Sequence, residues 1–353
     1  MDKAVLLLGA TGGVGGETAR ALKSHGWKVR GLARRPMAGA DGLEWVVGDA
    51  LDASAVRRAA EGVAAIVHAV NPPGYRNWDA LVLPMLDSSI AAARGTRARV
   101  VLPGTIYNFD PRETPVAVES LPQRPNTRKG RIRAEMERRL GEVRSLVLRA
   151  GDFFGPKAGN SWLSQGMVKP GKPIKSVLYP GAKGVGHNWA YLPDVGETFA
   201  RLLDREAELP EQARFHFEGY WDADGSQFVA AIREAAGNPG AKLRRLPWAL
   251  LPLIAPFNAT MREMIEMRTF WEHPLRLEKS CTDGVPGRGA AHPAGRGAQG
   301  HATRDAHSCH LRQARALQPY RLPGLAGAFA LPPARSPLAR RGFGSGVLRA
   351  CNS

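Results

Sequence analysis

Residues 1–280 contain no cysteine; the three in this 353-residue chain are Cys281, Cys309 and Cys351. That leaves the first 280 residues without a disulfide framework or a thiolate metal site. Long apolar runs are missing too. The most apolar stretch, residues 246–257, is too short to cross a bilayer and is broken by Pro247, Pro252 and Pro256. It reads as a segment packed beside a substrate pocket, with contact at a membrane surface as the alternative. No basic segment followed by an apolar run and a cleavage site opens the chain. A cytoplasmic protein with no membrane partner is the expectation.

Two further absences divide the chain. Lysine, glutamate, isoleucine, methionine and tryptophan all stop before residue 281. Residues 281–353 hold ten arginines against two aspartates, while residues 1–280 hold 39 basic against 30 acidic side chains. The formal charge of +17 is therefore inflated by the tail, and a nucleic-acid partner, which rests on charge alone, is not expected. The tail is rich in Gly, Ala, Arg, Pro and His and has no period that builds a core. It reads either as a disordered tail or as out-of-frame translation joined near Lys279 and Ser280. The gene sequence separates the two: a shifted frame after codon 280 should restore an amphipathic continuation. His292, His301, His307 and His310 with Cys309 lack a regular ligand spacing, so no metal site is expected.

The second local absence is of acid: no Asp or Glu lies between Glu17 and Asp41. Its meaning depends on what precedes it. The apolar strand Lys3 to Leu8 runs into Gly9-Ala10-Thr11-Gly12-Gly13-Val14-Gly15. Glycines at 9, 12 and 15 let bare backbone approach a diphosphate, and a helix starting near Gly13 aims its free N–H groups at the anion. The candidate cofactor residues of this turn are Gly9, Thr11, Gly12, Gly13, Val14 and Gly15. A second strand, 27–33, ends in Arg34 and Arg35, where an NAD site usually carries a carboxylate for the ribose hydroxyls. A guanidinium pair there suits a 2′-phosphate, so NADP is expected over NAD. The third strand ends at Asp49, which either accepts from the adenine amino group or caps the next helix.

Strands and helices keep alternating. Ser54 is expected to cap a helix over 55–61. Strand 64–70 leads into a loop in which Asn71 or Tyr75 can flank the cofactor, and His68 inside that strand reads as a core histidine. A helix over 78–94 contains Pro84 as a kink. Strands 99–102 and 145–149 flank a basic helix over 131–140. Asp194 is expected to cap helix 195–203, and Ser226 a helix through 236. Residues 261–271 also read as helical. Such alternation implies an α/β fold with a doubly wound parallel sheet, the Rossmann arrangement. The expected division is a nucleotide-binding domain over 1–204, a smaller substrate lobe over 205–280 and the irregular tail over 281–353.

Four motifs, Gly9 to Gly15, Val47-Gly48-Asp49, Leu148 to Pro156 and Tyr191 to Val195, resemble the extended short-chain dehydrogenase/reductase superfamily of the NAD-dependent epimerase/dehydratase type. The resemblance covers roughly residues 3–204 and implies that the backbone of 151–154 passes the nicotinamide end of the cofactor. One departure stands out. Redox-active members carry Tyr-x-x-x-Lys on the helix after the fifth strand, the lysine lowering the tyrosine pKa for proton exchange. Aligned on Glu135, this chain has Thr127 and Arg131 at those positions. Threonine is a weak acid and arginine does not shuttle protons. Thr105, Thr127 and Arg131 are the catalytic candidates, with Tyr107 the nearest phenol by sequence. Lys129 reads as a solvated helix-start lysine that can approach the ribose. The pair Tyr179 and Lys183 has the right spacing but falls in a proline-glycine turn, where the side chains share no face.

Two functions follow. One is an NAD(P)-dependent oxidoreductase or epimerase/dehydratase-like enzyme for a small carbonyl or sugar-type substrate, with an altered proton relay. The other is a non-catalytic NADP-binding redox sensor. Neither substrate nor oligomeric state is written in the sequence.

Overall fold

The computed structural model describes residues 3–37, 42–72, 77–159, 161–169, 171–257 and 259–279. Tyr75 and the whole tail, with its frameshift, metal and nucleic-acid readings, lie outside the described residues.

The central sheet is built from β1 (Ala4–Leu8), β2 (Lys28–Ala33), β3 (Glu44–Val47), β4 (Ala65–His68), β5 (Arg99–Thr105), β7 (Ser145–Ala150) and β11 (Gln212–Phe217). Between β5 and β7 lies the short β6 (Val116–Ala117). The seven strands run in the order β11-β7-β5-β4-β1-β2-β3, every neighbouring pair parallel. This is the expected doubly wound α/β sheet, and its order reverses between β1 and β4. An open parallel sheet binds its ligand at the carboxyl end of such a reversal.

Side-chain alternation splits the buried strands between two cores. Leu6, Leu8 and Ile66 join the layer under α2 (Ala53–Ala59), α3 (Trp78–Thr96) and α4 (Arg128–Leu140). Val5, Leu7, Ala65 and Val67 join the opposite layer, under α1 (Gly13–Ser24) and α5 (Leu192–Asp204). Helices α1 and α5 pack so closely that a Cβ on Gly196 would lie 2.7 Å from the carbonyl of Glu17. A larger residue there would push the helices apart.

Helix α4 opens at Arg128 rather than at 131, and three helix caps also differ from the sequence reading. Asp52, not Ser54, caps α2, its Oδ1 accepting from the N–H groups of Ser54 (2.9 Å) and Ala55 (3.1 Å). Helix α5 begins before Asp194, with Tyr191 at its cap and Asp194 inside the first turn, where it complements the dipole. In α6 (Ser226–Ala235) the cap is Gly225, and buried Asp222 receives the N–H groups of Gly225 and Phe228. In α2 and α6 a more N-terminal carboxylate already satisfies the free amides, whereas Tyr191 makes no side-chain bond to those of α5. Pro84 falls within α3, which continues to Thr96.

The lobe draws on both sides of residue 204. Strands β8 (Asp152–Phe154), β10 (His187–Tyr191) and β12 (Tyr220–Asp222) form one small sheet. Strand β9 (Ser176–Tyr179) pairs with β13 (Lys242–Arg245) in another. Phe154, Tyr179, Trp189, Phe228 and Trp271 pack together beneath them. Short helices α7 (Leu251–Ile254), α8 (Ala259–Glu266) and α9 (Thr269–Glu272) precede β14 (Arg276–Leu277), which pairs with β6. The segment 261–271 is thus helical in two pieces, broken at 267–268.

Candidate active site

The turn after β1 stands at the sheet's reversal. Gly9 has φ +90°, and a Cβ on it would fall 2.5 Å from the carbonyl oxygen of Ala69 at the end of β4. The Gly12 N–H donates to the Gly9 carbonyl (2.9 Å). That same carbonyl lies 2.2 Å from where a Cβ on Gly15 would stand. The turn can therefore close only because positions 9 and 15 lack side chains. Helix α1 starts at Gly12 with no side-chain cap and no acid in its first turn. Among the described residues no side chain caps its free N–H groups, and Thr11 and Gly12 are exposed at the tip. Val14 is half-buried behind them, and Gly13 rests against the backbone of Lys157 and Ala158. These residues fit a dinucleotide diphosphate.

Arg34 and Arg35 are exposed at the end of β2, neither in an ion pair among the described residues. Asp49 is half-buried, its Oδ1 accepting from the Leu51 N–H (3.0 Å). It does not cap α2, because Asp52 does. Asn71 is fixed by the Trp78 indole, which donates to its Oδ1 (3.0 Å). That bond leaves the Asn71 amide group as a donor beside the β4 end.

The candidates for proton transfer are held differently. Thr105, buried at the end of β5, accepts from the Tyr107 N–H (3.2 Å) and donates to Asn108 Oδ1 (3.3 Å). Thr127 caps α4, its hydroxyl accepting from the Gly130 N–H (3.0 Å). Gly130 itself is hemmed in by the Tyr107 carbonyl, which locks α4 to the turn after β5. Arg131 lies one turn beyond Thr127 and is exposed. Lys129 is not a solvated lysine. It is 1% exposed, and its Nζ donates to Glu266 Oε2 (2.9 Å) and the Glu263 carbonyl (3.1 Å) on α8. Tyr179 is buried while Lys183 is exposed in the following turn, so that pair shares no face.

Two constellations escaped the sequence reading. In the first, the Tyr107 hydroxyl donates to Asp152 Oδ1 (3.1 Å), and His187 Nε2 lies 2.7 Å from Asp152 Oδ2. The imidazole stacks on Trp271 at 3.8 Å. These three side chains meet where β5, β8 and β10 come together beside the lobe. Asp152 belongs to a motif visible in the sequence; nothing marked His187, because the lobe's sheet brings it there.

The second is a buried hub. Glu137 on α4 accepts from Arg149 Nε (2.9 Å) and Nη2 (2.8 Å), Asn108 Nδ2 (2.9 Å) and Gln123 Nε2 (2.9 Å). Arg149 Nη1 donates to His216 Nε2 (3.2 Å), and His216 Nδ1 donates to the carbonyls of Ala117 (3.1 Å) and Glu278 (3.0 Å). Burial and the Arg149 charge lower the His216 pKa, which keeps its ring neutral in this arrangement. His68 is a core histidine, as expected: fully enclosed and pushed down to about 3 by burial and, secondarily, by Arg133.

Residues 9–122 match a family described as NAD(P)H-binding. No curated protein matches the chain. Among solved structures, UDP-N-acetylglucosamine 4-epimerase from Bacillus cereus is similar at 16% identity and a TM-score of 0.56, over 69% of this chain and 84% of that one. The Bordetella bronchiseptica enzyme WbmH, solved with NAD+, is similar at 19% identity and 0.55, over 69% and 85%. A dTDP-glucose 4,6-dehydratase from Streptomyces venezuelae, with NAD bound, gives 18% and 0.54, over 69% and 84%. The chain therefore carries a segment that matches an NAD(P)H-binding family, on a fold similar to that of these solved proteins. Among the described residues no helix is long and apolar enough to cross a membrane, and no group of three or more His, Cys, Asp or Glu side chains is placed to hold a metal.

Proposed function

We propose that the protein is an NADP-dependent oxidoreductase or epimerase/dehydratase-like enzyme acting on a small carbonyl or sugar-type substrate. The observation that carries this reading is the uncapped start of α1 behind a turn that only glycine can close. Solved proteins of this fold hold NAD, but in this chain the unpaired Arg34 and Arg35 and the missing acid favour a 2′-phosphate. Gly9 to Gly15 would hold the diphosphate, Asp49 and Asn71 would flank the nucleoside ends, and exposed Arg131 would face the ribose side. Once bound, the nicotinamide supplies hydride chemistry.

The acid–base work then falls to groups of this chain. The Thr127 hydroxyl accepts from the Gly130 N–H as the cap of α4, which leaves its proton free, but an alcohol is too weak an acid to replace a phenol unaided. The Tyr107–Asp152–His187 chain offers a phenol, a carboxylate and an imidazole in hydrogen-bond contact, a route for a proton from the Tyr107 oxygen to the imidazole. Thr105 orients Tyr107 through its backbone N–H. Threonine and arginine at positions 127 and 131 also favour a second reading, a binding protein that senses the NADP/NADPH ratio without turnover.

Incubating the protein with NADPH or NADH and a panel of aldehydes, ketones and nucleotide sugars separates the two. Turnover that Tyr107→Phe or Thr105→Val removes, with NADPH binding retained, supports the enzyme. Tight binding without turnover supports the sensor. Arg34→Ala should weaken NADPH far more than NADH; equal losses would contradict the 2′-phosphate assignment.

A further inference from the structure

Acidic residues vanish from two stretches of the lobe, 153–193 and 235–262. Between them these stretches carry Lys157, Lys169, Lys172, Lys175, Lys183, Lys242, Arg244, Arg245 and Arg262. The fold brings the two together. Strand β13 pairs with β9 in the register Lys242 to Ser176, and the Lys242 N–H donates to the Lys175 carbonyl (3.0 Å). Farther along, the Leu246 N–H donates to the Tyr179 carbonyl (3.0 Å), and the Trp248 indole to that of Pro180 (2.8 Å).

Lys169, Lys172, Lys175, Lys242 and Arg244 are all exposed, and among the described residues none meets a carboxylate. In the nucleotide-binding domain, by contrast, Arg99, Arg139, Arg144 and Arg149 are each ion-paired, although Arg34 and Arg35 form no ion pair among the described residues. Exposed leucines stand in the same part of the lobe. Leu243 on β13 is 42% exposed, and the segment that follows it presents Leu250 at 54% and Leu253 at 72%. Prolines 247 and 252 restrict the backbone that carries them.

We propose that this part of the lobe, β13 with the β9 approach and residues 246–253, docks on an anionic lipid bilayer. Unneutralised lysine and arginine attract an anionic headgroup layer, and the exposed Leu250 and Leu253 of the segment that follows β13 enter the acyl boundary. A nucleic acid would satisfy the charges but leaves the leucines in water. A bilayer takes both. The apolar segment thus gains an occupant other than the lobe's own pocket, and the contact is peripheral, with no chain crossing the membrane.

The test uses the full chain sedimented with vesicles of phosphatidylcholine alone or of phosphatidylcholine with phosphatidylglycerol. Binding to the anionic vesicles only is expected. The double variant Lys242→Glu, Arg244→Glu should weaken it about tenfold or more. Leu250→Ser with Leu253→Ser should weaken vesicle binding while leaving retention on heparin unchanged. All these positions are on the surface, so unchanged melting temperatures serve as the folding control. Failure to bind anionic vesicles overturns the proposal. So does equal binding by wild type and both variants, which assigns the affinity to charges elsewhere, such as the arginines after residue 280. A dimer in solution that the leucine variant abolishes would also overturn it, since a second copy would then be what covers the leucines.

Discussion

The guanidinium of Arg149 meets the carboxylate of Glu137 in two hydrogen bonds, of 2.9 and 2.8 Å, with both side chains closed off from solvent. One side chain comes from the sheet and the other from α4, so the pair fixes the helix whose start borders the candidate site. Two buried charges are costly to desolvate, and removing Arg149 leaves the enclosed Glu137 carboxylate with only the exposed Arg214 (3.1 Å) as a cation. Arg149→Met should therefore destabilise the fold by about 3–5 kcal/mol. Combining it with Glu137→Leu should recover much of that loss. Denaturant unfolding of the two variants checks it; a double variant no more stable than the single one would show that the hub acts through its hydrogen bonds to Asn108 and Gln123 instead.

Gly15 makes a sharper test of the turn. A methyl group there would collide with the Gly9 carbonyl at 2.2 Å, so the loop must open or α1 must shift. Gly15→Ala should cut nucleotide affinity by an order of magnitude or more, through loss of the aligned amides. Gly62→Ala is the control for substituting a glycine: it has φ +72° but no neighbour within 4 Å, so its cost is backbone strain alone and nucleotide affinity should persist. Titrating both variants with NADPH and following intrinsic fluorescence measures the difference.

What the sequence showed follows from how local each signal is. The glycine turn, the parallel strands and the helices of the nucleotide-binding domain all rest on short-range periodicity and turn chemistry, and all are present. Caps were misplaced by a few residues because Asp52 and Asp222 reach amides from outside the expected helix starts. Lys129 was misjudged because its partners Glu263 and Glu266 lie more than 130 residues away, on a helix the lobe folds back over α4. His187 was invisible for the same reason: only the pairing of β10 with β8 brings it to Asp152. Long-range placement, not composition, makes that part of the site.

His68 sets a pH limit of a kind a surface histidine does not. Its Nδ1 lies 2.9 Å from Ser89 Oγ, and Nε2 has no partner among the described residues. Burial, reinforced by the charge of Arg133, pushes its pKa down to about 3 in the fold, against 6.5 for the unperturbed ring. The unfolded chain thus takes up a proton that the native state refuses. Stability is full above pH 6.5 and falls as the pH drops from there toward 3. At pH 4 the loss from this one group is about 3 kcal/mol. His68→Asn, whose amide can stand in for Nδ1 without titrating, should be less stable at pH 7 through lost packing. Its stability should nevertheless decline less than that of the wild type between pH 6.5 and pH 4. Urea unfolding across that range decides it: parallel curves for the two proteins would mean that the buried ring accepts its proton without penalty.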